Sequence, residues 1–407
     1  MSQLLHLGRR YWYFTLLIFL LAVAFSIKIA LNQGVNGDPY IYWAVGRKFL
    51  LGQSLYQPVT GSQEFLYPPV AVLFCQLLAL MPFPVAVGLF TFTNLMAWLV
   101  LLGLVYRLLQ VYFPQANLRT AMLVGFLATI RYFWHNIVWV NVNELVALLS
   151  IGGLYLYLKG RQTTGLGLLT LAMWIKVMPL LIIGGLFVRR PWLTLVTVLG
   201  FSGLFLVLVV GFRGVDQGIK DYLDYWHITF KPFLLEGKVF TDWIAFGLSA
   251  TLSKLLMAHP AVNGIEYNLV SWSPGVVGKI SLALRLLIVG FTFYYAWVSR
   301  KQTPLPLLSI LLLYLTILLV SGVSWEGHHV TLLPVVVGLY QLLTELGMIK
   351  VRRWLVVTSI SVGLLTSDLI GSHLSDYLQA FSLITYNVLF LYVIGLWTTR
   401  RIAIKIK

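Results

Sequence analysis

A carboxylate just beyond the end of an apolar segment stands where it can take a proton from an attacking hydroxyl. Asp38 is placed in this way, in NGDPY at residues 36–40, after the first apolar run. The same position suits a helix cap or a solvated side chain, so general-base chemistry is one of two readings that position leaves open. Two adjacent histidines, His328 and His329, lie in SGVSWEGHHVTLLP at residues 321–334. Neighbouring imidazoles do not easily share one metal ion, and no cysteine or acidic cluster accompanies them, so a zinc site is not expected. They suit hydrogen bonds to a phosphate or sugar oxygen, or they occupy an interfacial turn. Tyr67 precedes two prolines in EFLYPPV, residues 64–70. The prolines stiffen the chain where it re-enters an apolar stretch. Taken alone this is a structural entry motif, with Glu64 a solvated carboxylate.

Charges within apolar segments form a third group. Lys176 lies in the apolar stretch 165–188, and Arg285 about ten residues into the stretch 276–298. An unpaired charge in hydrocarbon costs about 3 kcal/mol or more, which makes each a functional candidate, with Glu144 a candidate counter-ion. Lys176 also suits a structural role at a broken hairpin. Arg131 and Arg213 are expected at outer helix ends, where their stems can snorkel and their guanidinium groups can meet an anionic headgroup. Neither a phosphate loop, a dinucleotide glycine fingerprint nor a His-Glu-x-x-His helix occurs in the sequence. Chemistry that depends on those motifs is therefore not expected, and any reaction must use a substrate already at the membrane.

The elements that must position these residues are written in the composition. Of 407 residues, 59% are hydrophobic and 10% charged, and the mean hydropathy is +0.87. Soluble proteins carry roughly a quarter charged residues, and here apolar runs long enough to span a bilayer recur along the chain. The fold class is all-α, a polytopic membrane protein. The 29 basic and 13 acidic residues give +16, with the basic residues in short runs between apolar segments. That distribution is the positive-inside pattern rather than a nucleic-acid surface. Cys75, the single cysteine, lies in an apolar run and has no partner for an internal disulfide.

Placing the cationic clusters inside threads ten crossings: residues 11–31, 84–106, 120–130, 141–158, 191–212, 276–298, 304–320, 329–346, 354–367 and 380–397. Residues 68–81 are short for a span, and 165–188 is broken by Lys176 and Pro179, so both are read as partial or re-entrant elements. Residues 38–51 suit a helix lying along the interface of the first outer loop. The first segment is too long for a signal-peptide core and has no cleavage pattern. Both termini are then cytoplasmic, with Arg9 and Arg10 inside, and the polar loops 32–67 and 213–275 face outside. The whole chain, 1–407, reads as one membrane domain: a first half 10–212, the large outer loop 213–275, and a C-terminal half 276–407. Trp226, His227, Trp243 and Trp272 in that loop suit interfacial anchoring or stacking on a sugar.

In order, the segments GDPYIYWAVGRKFLLGQSLY (37–56), FLYPPVAVLF (65–74), WVNVNELVALL (139–149), AMWIKVMPLLI (172–182) and SWEGHHVTLLP (324–334) resemble the GT-C superfamily of integral-membrane glycosyltransferases. The likeness is closest to glycosyltransferase family 87, the polyprenol-phosphate-mannose-dependent α-mannosyltransferases, and covers most of residues 10–335. The resemblance implies a GT-C-type bundle that transfers a sugar, mannose in the best-known case, from a polyprenyl-phosphate donor at the outer face of a bacterial inner (cytoplasmic) membrane. The acceptor would be a glycolipid or another cell-envelope molecule. It implies Asp38 as the catalytic base of an inverting displacement, with His328 and His329 at the phosphate or sugar. Relatives that need a divalent metal carry two neighbouring acidic residues in the first loop. Asp38 stands alone, so neither metal nor cofactor is expected. A transporter or flippase of lipid-linked sugars is the competing reading, against which no matching pair of broken segments appears in the two halves. A catalytically inactive binder of lipid-linked sugars is a third.

Overall fold

The computed structural model describes residues 12–34, 37–59, 64–234, 242–258, 267–322 and 324–406; the basic pair Arg9 and Arg10 lies outside them. Among the described residues the secondary structure is helical, with no strand. The first half contains α1 (Trp12–Asn32), α2 (Asp38–Leu50), α3 (Ala71–Ala79), α4 (Phe83–Gln110), α5 (Arg119–Val138) and α6 (Asn143–Leu158). It continues with α7 (Gln162–Ile175), α8 (Leu180–Arg189) and α9 (Pro191–Arg213). Where described, the expected loop 213–275 is largely helical: α10 (Val215–Asp224), a π-turn (Tyr225–Phe230), α11 (Lys231–Leu234) and α12 (Leu248–Leu256). Then come α13 (Pro274–Val298), α14 (Leu307–Val320), a 3₁₀ turn (Glu326–Thr331), α15 (Leu332–Glu345), α16 (Ile349–Leu365), α17 (Ser372–Ala380) and α18 (Leu383–Ile406). Proline stands in the first turn of α2, α4, α9 and α13, where its missing N–H leaves no helical bond unmade.

Among the described residues, α4, α5, α9 and α13 are long and apolar enough to cross a bilayer, and α17 with α18, bent by 54°, makes a fifth if the pair is one span. Leu16–Asn32, α6, α8 and α14 are apolar but shorter. The chain is a multi-pass membrane protein. Two expected segments have a different form. The stretch 120–130 belongs to a longer α5 that runs on to Val138, so Arg131 sits inside the helix and not at its end. Its charge meets Glu326, and nothing obliges the helix to stop there. In α14 every side chain from Leu307 to Leu319 is buried, and the helix is packed by α13, α15 and α18. That burial explains why it is apolar all round.

Close helix contacts are made through glycine, as expected where lipid gives apolar side chains no net drive to associate. Between α6 and α7, a Cβ at Gly153 would lie 2.6 Å from the Gly165 carbonyl oxygen. Between α2 and α3, a Cβ at Gly46 would lie 2.2 Å from that of Cys75. The first contact fixes α7 beside α6. The second fixes α2, and with it Asp38. α7 ends at Ile175 and α8 begins at Leu180; Lys176 between them is extended, which takes its side chain out of helical register.

Gly165→Ala puts a Cβ 2.4 Å from the Gly153 carbonyl oxygen and 2.7 Å from the Tyr157 nitrogen, both backbone atoms that cannot rotate away. The expected cost is about 1–3 kcal/mol. It is read as a lower melting temperature of purified protein in detergent. Gly200→Ala, whose new Cβ meets no atom within 4 Å, should leave the melt unchanged or raise it slightly.

Candidate active site

Five parts of the fold meet around Asp38: the start of α2, the segment before α3, the α5–α6 turn, the α7–α8 break and the 3₁₀ turn. Asp38 is the first residue of α2, and Gly37 is its N-cap; no side chain caps the helix, which sets the capping reading aside. The Asp38 carboxylate instead accepts a hydrogen bond from Asn141 Nδ2. Asn141 is held on both sides, its N–H donating to Asn136 O at 2.9 Å and its carbonyl accepting from Asn94 Nδ2 at 2.7 Å. Just before it, fully buried Val140 has φ +49, a left-handed conformation that a β-branched residue seldom adopts.

Lys176 Nζ donates to Asn143 Oδ1 at 2.7 Å and lies 5.3 Å from the centre of the Tyr67 ring. Asn143 Nδ2 donates to Asn136 Oδ1 at 2.9 Å, and Asn136 Nδ2 to Gly327 O at 2.8 Å. A line of buried amides thus joins Lys176 to the 3₁₀ turn. Only glycine fits at its end, since a Cβ at Gly327 would lie 2.0 Å from Asn136 Oδ1 and 2.7 Å from Asn143 Nδ2. Fully buried Glu144 joins Asp38 as a second carboxylate acting on Lys176.

Burial raises the Asp38 pKa, while the charge of Lys176, that of His135 and the Asn141 hydrogen bond pull it back. The Tyr42 and Tyr67 hydroxyls share a hydrogen bond of 2.8 Å, and burial with nearby Asp38 raises both phenols, which therefore keep their protons. Tyr56 OH donates to Tyr67 O at 2.8 Å and fixes that backbone.

The two histidines differ in their hydrogen bonding. His328 Nδ1 accepts the Trp325 N–H at 2.7 Å, which puts the ring proton on Nε2. That Nε2 is buried without a hydrogen-bond partner. Burial, with Lys176 and the other histidines, holds His328 well below the usual histidine range, so it is a neutral donor. His329 Nδ1 donates to the carbonyls of Glu326 at 3.1 Å and Trp325 at 3.2 Å, and its ring lies between Tyr132 and Phe246. His329 shapes the turn; His328 keeps a donor free.

The remaining cations of the sequence analysis are placed differently. Arg131 pairs with Glu326 at 2.9 Å and donates to Thr366 Oγ1 at 3.0 Å, while His135 Nδ1 lies 3.3 Å from the other Glu326 oxygen. Arg213 pairs with Asp221 at 2.8 Å and donates to Phe49 O at 3.1 Å and Gln53 O at 2.6 Å, so it ties the end of α2 to α9 and α10. With its guanidinium spent on a carboxylate and two carbonyls, Arg213 is a latch and not an open headgroup site. Arg285 is half-buried on α13, whose main packing partners are α8, α12 and α14; it does not join the cluster. Glu64 is exposed.

Sequence reasoning did not single out Glu326, Asn136, Asn141, Asn143, His135 or Tyr42. Glu326 is two residues from His328, and two of the asparagines stand in WVNVNE. Polar side chains so dense in an apolar chain were the available signal. Together the groups supply a carboxylate able to accept a proton, an ammonium beside it and a neutral N–H donor. That set suits removal of a hydroxyl proton while an oxyanion departs.

The sequence profile of glycosyltransferase family 87 matches residues 65–322. No curated protein and no solved structure matches the chain.

Removing the Lys176 charge takes away the first of the influences that lower the Asp38 pKa. In Lys176→Met the Asp38 carboxyl should titrate at higher pH than in wild type. Infrared difference spectra of the variant, with and without Asp38→Asn, check this through the pH midpoint of the protonated carboxyl band. An unmoved midpoint contradicts the pairing.

Proposed function

Because the chain belongs to glycosyltransferase family 87, we propose that the cluster around Asp38 transfers a sugar, mannose in the first instance, from a polyprenyl-phosphate donor to a glycolipid or other cell-envelope acceptor. In this reading Asp38 takes the proton from the acceptor hydroxyl. The hydroxyl oxygen forms a bond to the anomeric carbon as the bond from that carbon to the phosphate oxygen breaks, with inversion. The polyprenyl phosphate leaves with the bonding pair. His328 Nε2–H, which lacks a partner in the site, donates to a phosphate oxygen. Lys176, with one of its three N–H groups on Asn143, offers a second donor and the positive charge. Neither a metal nor a cofactor takes part in this scheme.

The observation that carries the reading is the juxtaposition of Asp38 with an ammonium and the Asn141 amide, which favour its charged form, in a cluster that also holds a buried N–H without an acceptor. A buried donor left unsatisfied costs about 1–3 kcal/mol, and a phosphate oxygen would remove that cost. The basic clusters support a membrane path with both termini cytoplasmic, the cluster at the outer face and α2 along the interface. On this path α1, α6, α14, α15 and α16 join the five candidate spans to make the ten crossings, α7 and α8 form the re-entrant element, and the membrane is the bacterial inner membrane.

A transfer assay tests the function. Purified protein in nanodiscs is given radiolabelled polyprenyl-phosphate-mannose and a membrane-lipid extract. Label should move to a new lipid, with or without EDTA, and Asp38→Asn should lose about 10² to 10⁴ in rate while still binding donor. Equal transfer by wild type and Asp38→Asn contradicts the assignment of the base; loss of transfer in EDTA contradicts a metal-free scheme.

A further inference from the structure

One feature at the lip of the cluster is used neither by the base nor by the departing phosphate. Trp139, the C-cap residue of α5, is 50% exposed. Its ring stacks on His135, with centres 5.9 Å apart and planes 27° apart. The His135 side chain is itself only 26% exposed and is tied through Nδ1 to Glu326. Trp134, nearby on the same helix, is exposed too, but it packs on Phe25 of α1 and belongs to that helix contact. Trp139 instead stands one residue before the strained Val140 and two before Asn141, the residue that holds Asp38.

We propose that the stacked His135 and Trp139 rings form the acceptor subsite, and that the acceptor presents a sugar ring to it. The inference rests on the transfer reading above and adds the chemical class of the acceptor's reacting end. A pyranose has a face of C–H groups that lies well on an aromatic ring, and an edge of hydroxyls that needs partners. The indole supplies the face. His135 supplies the edge: with Nδ1 directed at Glu326, Nε2 is the ring nitrogen left to meet a hydroxyl. Because His135 is also close enough to act on Asp38, a sugar held there presents hydroxyls toward the base. A bare lipid alcohol covers the ring face but brings no second hydroxyl to His135.

The test is binding of methyl α-D-mannopyranoside to wild-type protein in nanodiscs, followed by saturation-transfer NMR with the open-chain polyol mannitol as control. Ring C–H protons of the glycoside should receive saturation and those of mannitol should not. Trp139→Leu keeps apolar bulk at the membrane surface but has no ring face, and should weaken binding roughly five- to tenfold. Trp139→Phe should retain most of it, with melting temperatures confirming that both variants fold. Binding by Trp139→Leu equal to wild type, no saturation of the glycoside, or equal saturation of mannitol overturns the subsite. The two readings fail separately, because glycoside binding is read without donor or transfer: loss of binding with transfer intact sinks the subsite alone. A failed transfer assay with an intact Trp139 effect sinks the transfer scheme alone.

Discussion

An ammonium set among apolar helices must be matched by nearby charge and hydrogen bonds, or the fold loses several kcal/mol. Lys176 imposes that requirement on this protein. It is met by Asp38 from α2, by Glu144 and Asn143 from α6, and by the ring face of Tyr67 ahead of α3. The elements that bear the candidate site are therefore the ones that cannot be separated without exposing a charge. The break between α7 and α8 belongs to the same requirement, because it turns Lys176 away from a helical path. Asn136 and Asn143 extend the network to Gly327, so the turn bearing His328 is placed by the same bonds that hold the lysine.

Much of this was legible in the residue types. Helical membrane architecture followed from the apolar runs, and the break at Lys176 and Pro179 from a cation and a proline within one of them. Asp38 and His328 stood out because polar residues are scarce in such a chain. The chain order of the polar segments was enough to suggest the family whose profile matches residues 65–322. Which polar residue meets which was not legible. Arg131 and Arg213 look alike as cations near helix ends, yet each is committed to its own carboxylate: Glu326 lies 195 positions from Arg131, and Asp221 only eight positions beyond Arg213. Contacts of the first kind depend on the three-dimensional path of the chain, which local patterning does not contain.

The adjacent histidines make the same point at the level of atoms. Neighbours in sequence and both buried, they differ in which ring nitrogen meets the backbone and how. His328 accepts at Nδ1 and so keeps its proton on Nε2. His329 donates from Nδ1 to two carbonyls and so is spent on the turn. No property of the residue type distinguishes them; the 3₁₀ geometry does. Glu326 and Gly327 immediately before them complete the turn, one by ion pairing outward to α5 and the other by leaving room for the amides.

Val140 is a buried residue in a backbone state that ordinarily costs about 1–3 kcal/mol, fixed by the bonds on either side of Asn141. A turn clamped in this way has few alternatives near it in energy. Asn141 therefore aims at Asp38 in the resting protein, and in the proposed transfer the carboxylate does not have to be turned when charge begins to move. The cost of reorientation that water would exact from a free carboxylate during a reaction is met here at folding, in the conformation of a single valine.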